Sequence, residues 1–252
     1  MRICFLGNSH LACVAQAISE SSLFQRSQYD TFYVAGGGQP RLKCENKILL
    51  PVNGYVEDWL RKSSGGKTQV ELDVYDVFVI VPAGQLAVRE EYANPFKDMV
   101  ISSLNGSAYM PEIGVRDRFY VSLDCAKRTI RGWLRQLGAV QVLQDICGQV
   151  NAPVIATRCP PPSESYFDRS DNIVSMLHGS AAKEVWKQWF ELHVEALSEV
   201  VSTISGNLTL LPYPSQTLSG GGCTLKDFET SDPWHMNGTY GHLLLDAVRA
   251  VL

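Results

Sequence analysis

The sequence has no run of apolar residues that approaches the ~20 needed for a helix to cross a membrane. It also has no cluster of Lys or Arg, and its formal net charge is −4. A nucleic-acid partner usually requires a basic patch, so both features argue against one. The N-terminus carries one Arg and then an apolar stretch that is too short for the core of a signal peptide. We therefore predict a protein with no membrane span and no nucleic-acid partner.

Cysteines with the spacing of a zinc site are missing as well. The seven cysteines are odd in number, and no two of them are spaced as zinc ligands. Cys4, Cys13 and Cys147 lie within apolar patterns, which favours packing as small hydrophobic side chains. The set is typical of reduced thiols, with at most an incidental disulfide, so we predict a cytoplasmic protein.

The chain has 252 residues, of which 45% are hydrophobic and 19% charged, as in an ordinary soluble globular protein. This length fits one large α/β domain better than two, so a single domain over residues 1–252 is expected. Such a chain can bury roughly three-quarters of its unfolded surface, which is enough to fold without a metal or a disulfide.

Five short apolar runs predict strands. Each run is nearly continuous rather than alternating, which indicates burial on both faces, as in a parallel sheet. Helical spacing separates the runs, and Asn237 is a plausible N-cap of the last helix. The predicted strands are 2–6, 31–35, 77–81, 153–157 and 208–211, and the predicted helices are 10–19, one long or two shorter within 122–150, 181–204 and 238–251. Strands alternating with helices predict a doubly wound, three-layer α/β/α sandwich.

Polar or glycine residues follow three of the predicted strands. Ser9 follows the first strand, residues 36–38 (all Gly) follow the second, and Gln85 follows the third. Ligands of such sheets bind outside the carboxyl ends of the strands, so this edge is the predicted site. The irregular segments 36–66 and 86–120 are expected to be loops at its rim, where a substrate would be selected.

A serine at the tip of the first strand and an Asp-x-x-His pair before the last helix are the parts of a hydrolytic triad. Ser9 is the candidate nucleophile, and a hydroxyl is a poor nucleophile until a base removes its proton. His235 is the candidate base, because imidazole exchanges protons near neutral pH. Asp232 would hydrogen-bond the other ring nitrogen and fix the tautomer. The three residues lie near opposite ends of the chain, so only the fold can bring them together.

Acyl chemistry also needs donors for the oxyanion that forms on the attacked carbonyl. The Ser9 amide, at the start of a helix, is one candidate. An amide within 36–38, with Gly36 and Gly37 as the candidates, is a second, because glycine lets the backbone approach a ligand closely. The side-chain amide of Gln85 is a third.

These residues resemble the SGNH (GDSL-type) hydrolase superfamily. Gly7-Asn8-Ser9-His10 is similar to its first block, Gly-Asp-Ser, with Asn in place of Asp, and the glycines after the second strand are similar to its second block. Asp232-Pro233-Trp234-His235 is similar to its last block, Asp-x-x-His. The third block, Gly-x-Asn, reads Gly84-Gln85-Leu86 here, and Gln85 is the candidate for the role of the Asn. The resemblance implies a flavodoxin-like fold with a five-stranded parallel sheet. It also implies ester or acyl chemistry, often on carbohydrate O-acetyl groups or lipids, with no metal and no organic cofactor.

The resulting hypothesis is a serine esterase that acts through an acyl-enzyme on a small-molecule or carbohydrate ester. One alternative is an acyltransferase that uses the same triad to acylate a sugar hydroxyl, which the sequence does not separate from the esterase. Another is a glycan-binding protein that keeps the fold without the chemistry.

Several single residues have two interpretations. Ser9 taken alone is better explained as the cap of the helix that follows it, and the Asp232–His235 pair favours the nucleophile instead. Arg158 is suited either to an anionic substrate or to a surface salt bridge, and Trp234 either to an acyl pocket or to packing. His10 receives no role, and Cys159 has no base paired with it in the sequence.

Overall fold

The computed structural model describes residues 1–21, 28–34, 41–84, 99–101, 119–169 and 182–252. Ten strands occur within these ranges. They are β1 (Ile3–Asn8), β2 (Tyr29–Val34), β3 (Leu42–Glu45), β4 (Ile48–Pro51), β5 (Val70–Glu71), β6 (Val77–Val81), β7 (Met99–Ile101), β8 (Phe119–Val121), β9 (Val154–Ala156) and β10 (Leu208–Leu210).

A five-stranded sheet lies at the centre of the fold, in the order β10-β9-β6-β1-β2. All four neighbouring pairs are parallel. Counted by their succession in the chain, the strands lie in the order 2-1-3-4-5, which is the flavodoxin-like order. The five predicted strands and the parallel sheet are confirmed, with ends that differ by at most two residues. The single domain over 1–252 stays a prediction.

Helices cover both faces of this sheet, so the predicted three-layer α/β/α sandwich is confirmed. The described helices are α1 (Leu11–Glu20), α2 (Gly54–Ser64), α3 (Leu123–Gln136), α4 (Gly138–Gln149), α5 (Ala182–Ser202) and α6 (Gly238–Arg249). The predicted helical stretch over 122–150 is two helices, because Leu137 is extended (φ −67°, ψ 134°) between α3 and α4. Asn237 caps α6 as predicted, since its side chain accepts a hydrogen bond from the Tyr240 amide.

The helical layers are built from different apolar faces of the same strands. Helices α1 and α6 pack on one face of the sheet, against strand residues such as Phe5 and Val79. Helices α2 and α4 pack on the other face, against residues such as Leu6 and Ile80. Alternate residues of β1 and β6 therefore serve opposite layers, and this two-sided burial explains why both strands are continuously apolar.

Helices α1 and α6 touch each other at backbone distance. A Cβ atom added at Gly241 of α6 would lie 2.0 Å from the carbonyl oxygen of Cys13 in α1. Only glycine allows so close an approach. This contact, the α1–α6 seam, matters for the site because α1 begins just after Ser9 and α6 just after His235.

Strands β3 and β4 and helix α2 occupy much of the segment 36–66, and β5 completes a small antiparallel sheet in the order β3-β4-β5. The prediction of a rim loop there is wrong for the described part. The two turn residues between β3 and β4, Asn46 and Lys47, both have positive φ (50° and 63°), as in a type I′ hairpin. Lys47 stands where glycine is usual, so the turn is inconspicuous in the sequence. Of the other predicted rim segment, 86–120, the described part is β7 and the start of β8, which form a parallel pair.

No helix among the described residues is both long enough and apolar enough to cross a membrane.

A buried carboxylate ties the start of β2 to its neighbours. Asp30 Oδ2 accepts hydrogen bonds from the Arg2 guanidinium (2.9 Å), from Lys67 Nζ (2.6 Å) and from the Tyr75 hydroxyl (2.8 Å). Partial burial raises the pKa of Asp30, but the hydrogen bonds from Lys67 and Tyr75 outweigh it and hold the pKa below its ordinary value. The ionised form of Asp30 therefore stabilises the fold.

We expect Asp30→Asn to lower the free energy of unfolding by about 2 kcal/mol at pH 7, because Arg2 and Lys67 lose their counter-charge. The folded-state pKa of Asp30 is depressed, so its contribution is complete above the ordinary carboxyl pKa of about 4 and is lost as the pH falls through the folded-state value. Urea unfolding at pH 7 and at pH 3 measures the free energy of unfolding of both proteins. The gap in this quantity between wild type and variant should be smaller at pH 3. The matched control is Asp73→Asn at an exposed pair with Lys47, for which the change should stay below about 0.5 kcal/mol. A gap of equal size at both pH values would contradict the assignment.

Candidate active site

Ser9 lies at the point where the strand order of the sheet reverses. It directly follows β1, which pairs with β2 on one side and with β6 on the other. Ligand crevices form at this point in doubly wound sheets, because the connections from adjacent strands leave in opposite directions. The position of Ser9 at the carboxyl end of the sheet is thus set by the fold and not by local sequence alone.

The turn that carries Ser9 is fixed by its neighbours. Gly7 lies so close to β6 that a Cβ atom there would be 1.8 Å from the Val81 carbonyl oxygen, so glycine is required before the turn. Asn8 Oδ1 accepts a hydrogen bond from the His10 amide (2.9 Å), and the Ser9 carbonyl accepts one from the Ala12 amide (3.1 Å). Asn8, a residue of the first motif, therefore stabilises the turn that carries the nucleophile.

Asp232 and His235 lie together on a turn just before α6. Asp232 Oδ1 accepts hydrogen bonds from the amides of Trp234 (2.8 Å) and His235 (3.0 Å). Asp232 Oδ2 lies 2.8 Å from His235 Nδ1. The Thr230 amide donates to the His235 carbonyl (2.9 Å), which closes the turn on its other side. The three-residue spacing thus lets one carboxylate both shape the turn and orient the imidazole.

The nucleophile and the base candidates meet in space. His235 Nε2 lies 3.0 Å from Ser9 Oγ, although the two residues are 226 positions apart in the chain. Asp232, His235 and Ser9 are therefore joined in one row of hydrogen bonds. The alternative in which Ser9 merely caps α1 does not match this geometry, because the N-cap of α1 is His10 and no side chain caps that helix end.

The site is open to solvent and carries a stable negative charge. The side chains of His235 and Asp232 are 34% and 41% exposed, so a substrate can reach them. Partial burial raises the pKa of Asp232, but the hydrogen bonds from the His235 side chain and the Trp234 amide outweigh it and hold the pKa below its ordinary value. The carboxylate is therefore ionised at neutral pH and can stabilise an imidazolium.

Part of the predicted oxyanion hole lies outside the described residues. This applies to Gly36, Gly37, Gly38 and Gln85. The Ser9 amide is described and lies at the start of the turn into α1. Among the described residues, no group of three or more His, Cys, Asp and Glu side chains is arranged to hold a metal ion.

Two of the residues with alternative interpretations have partners within the fold. Arg158 forms no salt bridge within the described ranges. It donates to the Val194 carbonyl (3.1 Å) and to Ser198 Oγ (2.9 Å) on α5. Trp234 packs edge-on against Tyr166, with ring centroids 4.7 Å apart, which is a packing contact.

Two residues without a predicted role lie beside the triad. The rings of His10 and His235 have centroids 5.3 Å apart. His10 Nε2 lies 3.7 Å from Cys159 Sγ, at the end of β9. The fold thus supplies Cys159 with the imidazole neighbour that its sequence context lacks. In the sequence, the signal for a role of His10 was its position next to Ser9. Its contacts with His235 and Cys159 are visible only in the structure.

Comparisons with known proteins return no match to a family model and none to a curated protein. The solved structures that are similar to this chain include two from bacteria. One, from Streptococcus pneumonia and provisionally described as a platelet activating factor, is 11% identical with a TM-score of 0.47, and the match covers 99% of this chain and 83% of that one. The other is a GDSL-like lipase from Bacteroides thetaiotaomicron, 14% identical with a TM-score of 0.48, and the match covers 100% of this chain and 89% of that one.

Proposed function

We propose that this protein is a serine esterase of the SGNH type that cleaves an acyl ester through an acyl-enzyme. One observation carries the proposal: His235 Nε2 lies 3.0 Å from Ser9 Oγ while Asp232 Oδ2 lies 2.8 Å from the other ring nitrogen. This is the order of groups that a hydrolytic triad requires. The resemblance of the motifs around these residues to the SGNH blocks supports the same conclusion.

In the first half of the reaction, Ser9 Oγ attacks the ester carbonyl as its proton passes to His235 Nε2. Asp232 stabilises the imidazolium that results. The Ser9 amide, with Gly36, Gly37 and Gln85 as further proposed donors, binds the negative oxygen of the tetrahedral intermediate. The intermediate collapses when His235 returns the proton to the departing alcohol, which leaves the acyl group on Ser9.

In the second half, water attacks the acyl-enzyme while His235 accepts one of its protons. Collapse of the second tetrahedral intermediate gives the carboxylic acid and restores the Ser9 hydroxyl. An alcohol in place of water would give transfer of the acyl group, so the same site serves an esterase or an acyltransferase. The esterase is the proposal, with a small-molecule or carbohydrate ester, including an O-acetyl ester, as the substrate class.

Covalent labelling tests the proposal directly. We expect a fluorophosphonate probe to modify wild-type protein on Ser9, because an activated serine attacks phosphorus as it attacks an ester. The predicted tryptic peptide over residues 3–26 also contains serines at 19, 21 and 22, so fragment-ion mass spectrometry is needed to locate the adduct. The same protein should release p-nitrophenol from p-nitrophenyl acetate.

The control variant is His235→Ala, which keeps every serine and removes the base. Its labelling should fall at least 100-fold, as expected when general base catalysis is lost. Folded wild-type protein that leaves Ser9 unmodified, or a variant labelled as fast as wild type, would contradict the proposed function.

A further inference from the structure

His10 and Cys159 form a contact that spans the carboxyl edge of the sheet. His10 lies after β1 and Cys159 after β9, and β6 separates these two strands in the sheet. The imidazole of His10 therefore crosses above the end of β6 to approach Cys159 Sγ at 3.7 Å. A thiol and an imidazole nitrogen at this distance form a weak hydrogen bond.

Both partners of this contact are held by their own surroundings. Cys159 is 4% exposed, and its carbonyl accepts a hydrogen bond from the Tyr213 hydroxyl (2.9 Å). The His10 amide donates to Asn8 Oδ1, and the His10 carbonyl lies 3.1 Å from Cys13 Sγ, which donates to it. The His10 side chain makes no capping hydrogen bond to α1.

The His235 ring can turn about its Cβ–Cγ bond, and the contacts of Asp232 and Ser9 with Nδ1 and Nε2 oppose that turning. A turn about this bond carries Nε2 away from Ser9 Oγ and weakens the bond to Ser9, because hydrogen bonds weaken with distance and angle. The His10 ring lies beside His235, with centroids 5.3 Å apart and planes at 34°, and so limits this turning on one side.

We propose that His10 is a positioning residue for the base: its ring, anchored by Cys159, packs beside His235 and keeps Nε2 aimed at Ser9 Oγ. This rests on the proposed function, since it assigns a role within the same reaction. It adds His10, which follows the nucleophile in the first motif but received no role there, and Cys159, which belongs to none of the motifs on which that function is based. It also explains why a buried thiol and an imidazole meet at the edge of the sheet.

Five variants test the His10 ring and its Cys159 anchor separately. We expect His10→Ala and His10→Asn to lower kcat on p-nitrophenyl acetate about 10-fold with KM changed less than about 2-fold, because misalignment affects the reaction step and not binding. His10→Phe keeps a flat ring and should stay within about 3-fold of wild type. Cys159→Ala should lower kcat about 3-fold, whereas Cys159→Ser keeps a hydrogen-bonding group and should lose less.

The matched control is His242→Ala, which removes a surface imidazole that pairs with Glu20 at the far end of α1 from His10. Its activity should equal that of wild type. Fluorophosphonate labelling of each variant supplies a second readout, since labelling depends on the alignment of Ser9 and His235 and should fall by the same factor as kcat.

The outcomes also separate the two proposals. Wild-type protein that is not labelled contradicts the esterase itself. Labelled wild type together with His10→Ala at an unchanged kcat, or with a loss that His10→Phe shares in full, contradicts the positioning role alone. A loss confined to KM would contradict it as well, because it would place His10 in substrate binding.

Discussion

Replacing Ser9 by alanine should lower kcat at least about 10^4-fold while the protein remains folded. The variant removes the atom that forms the acyl-enzyme, and loss of a nucleophile in a triad has an effect of this size. Ser9 Oγ contacts His235, and no other described contact of that atom stabilises the fold. The residue is partly exposed, so water can replace the hydroxyl at His235 and the cost in stability should be below about 1 kcal/mol.

Steady-state turnover of p-nitrophenyl acetate measures the activity, and thermal unfolding measures the stability. Ser19→Ala is the matched control, because Ser19 lies near the end of α1, the helix that Ser9 precedes, and its hydroxyl donates to the Gln16 carbonyl. It should be as active as wild type. Turnover by Ser9→Ala at the wild-type rate would mean that the chemistry takes place elsewhere.

Asp232→Asn should lower kcat about 10^4-fold with little change in fold. The reason lies in how the carboxylate is used. Oδ1 accepts from two backbone amides, of Trp234 and His235, and lies 3.1 Å from His235 Nδ1, whereas Oδ2 lies closer to Nδ1, at 2.8 Å. The amide oxygen of an asparagine would take the place of Oδ1, so its NH2 group would be the group nearer to Nδ1. Nδ1 then accepts, the ring proton moves to Nε2, and that nitrogen can no longer receive the Ser9 proton.

The control for this variant is Asp227→Asn, which removes the same charge from an exposed residue earlier in the loop. Its kcat should equal that of wild type. A variant with wild-type activity would contradict the role of Asp232.

The five central strands were predictable because each is buried on both faces. Runs such as residues 77–81 have no polar position, and that pattern leaves few folds other than a covered parallel sheet. Ser9 and the Asp232–His235 pair were predictable as well, since each follows or precedes a clear element. Their approach to 3.0 Å was not contained in any local pattern and depends on packing of α1 against α6.

The segment around β3, β4 and α2 was misjudged although its signals are short-range. Along β3, buried Leu42 and partly buried Cys44 alternate with exposed Lys43 and Glu45, which is the pattern of a half-buried strand. Asn53 caps α2, and Gly65, with φ of 76°, ends it. Glycines and lysines nearby outweighed these signals, because a four-residue strand has too few positions for a firm pattern. The contact between His10 and Cys159, 149 positions apart, has no sequence signal at all.

The α1–α6 seam has a consequence for how the protein tolerates change. Ser9 and His235 stand two and three residues before the helices of this pair, so docking of the two helices sets the gap between Ser9 and His235. Substitutions that shift α2 or α4, in the opposite layer, can leave the gap between Ser9 and His235 unchanged. Natural variation and laboratory evolution should therefore be permissive on that face and restrictive along the seam, where Gly241 meets the Cys13 backbone. A residue without a side chain, six positions after His235, thus sets the spacing on which the reacting atoms depend.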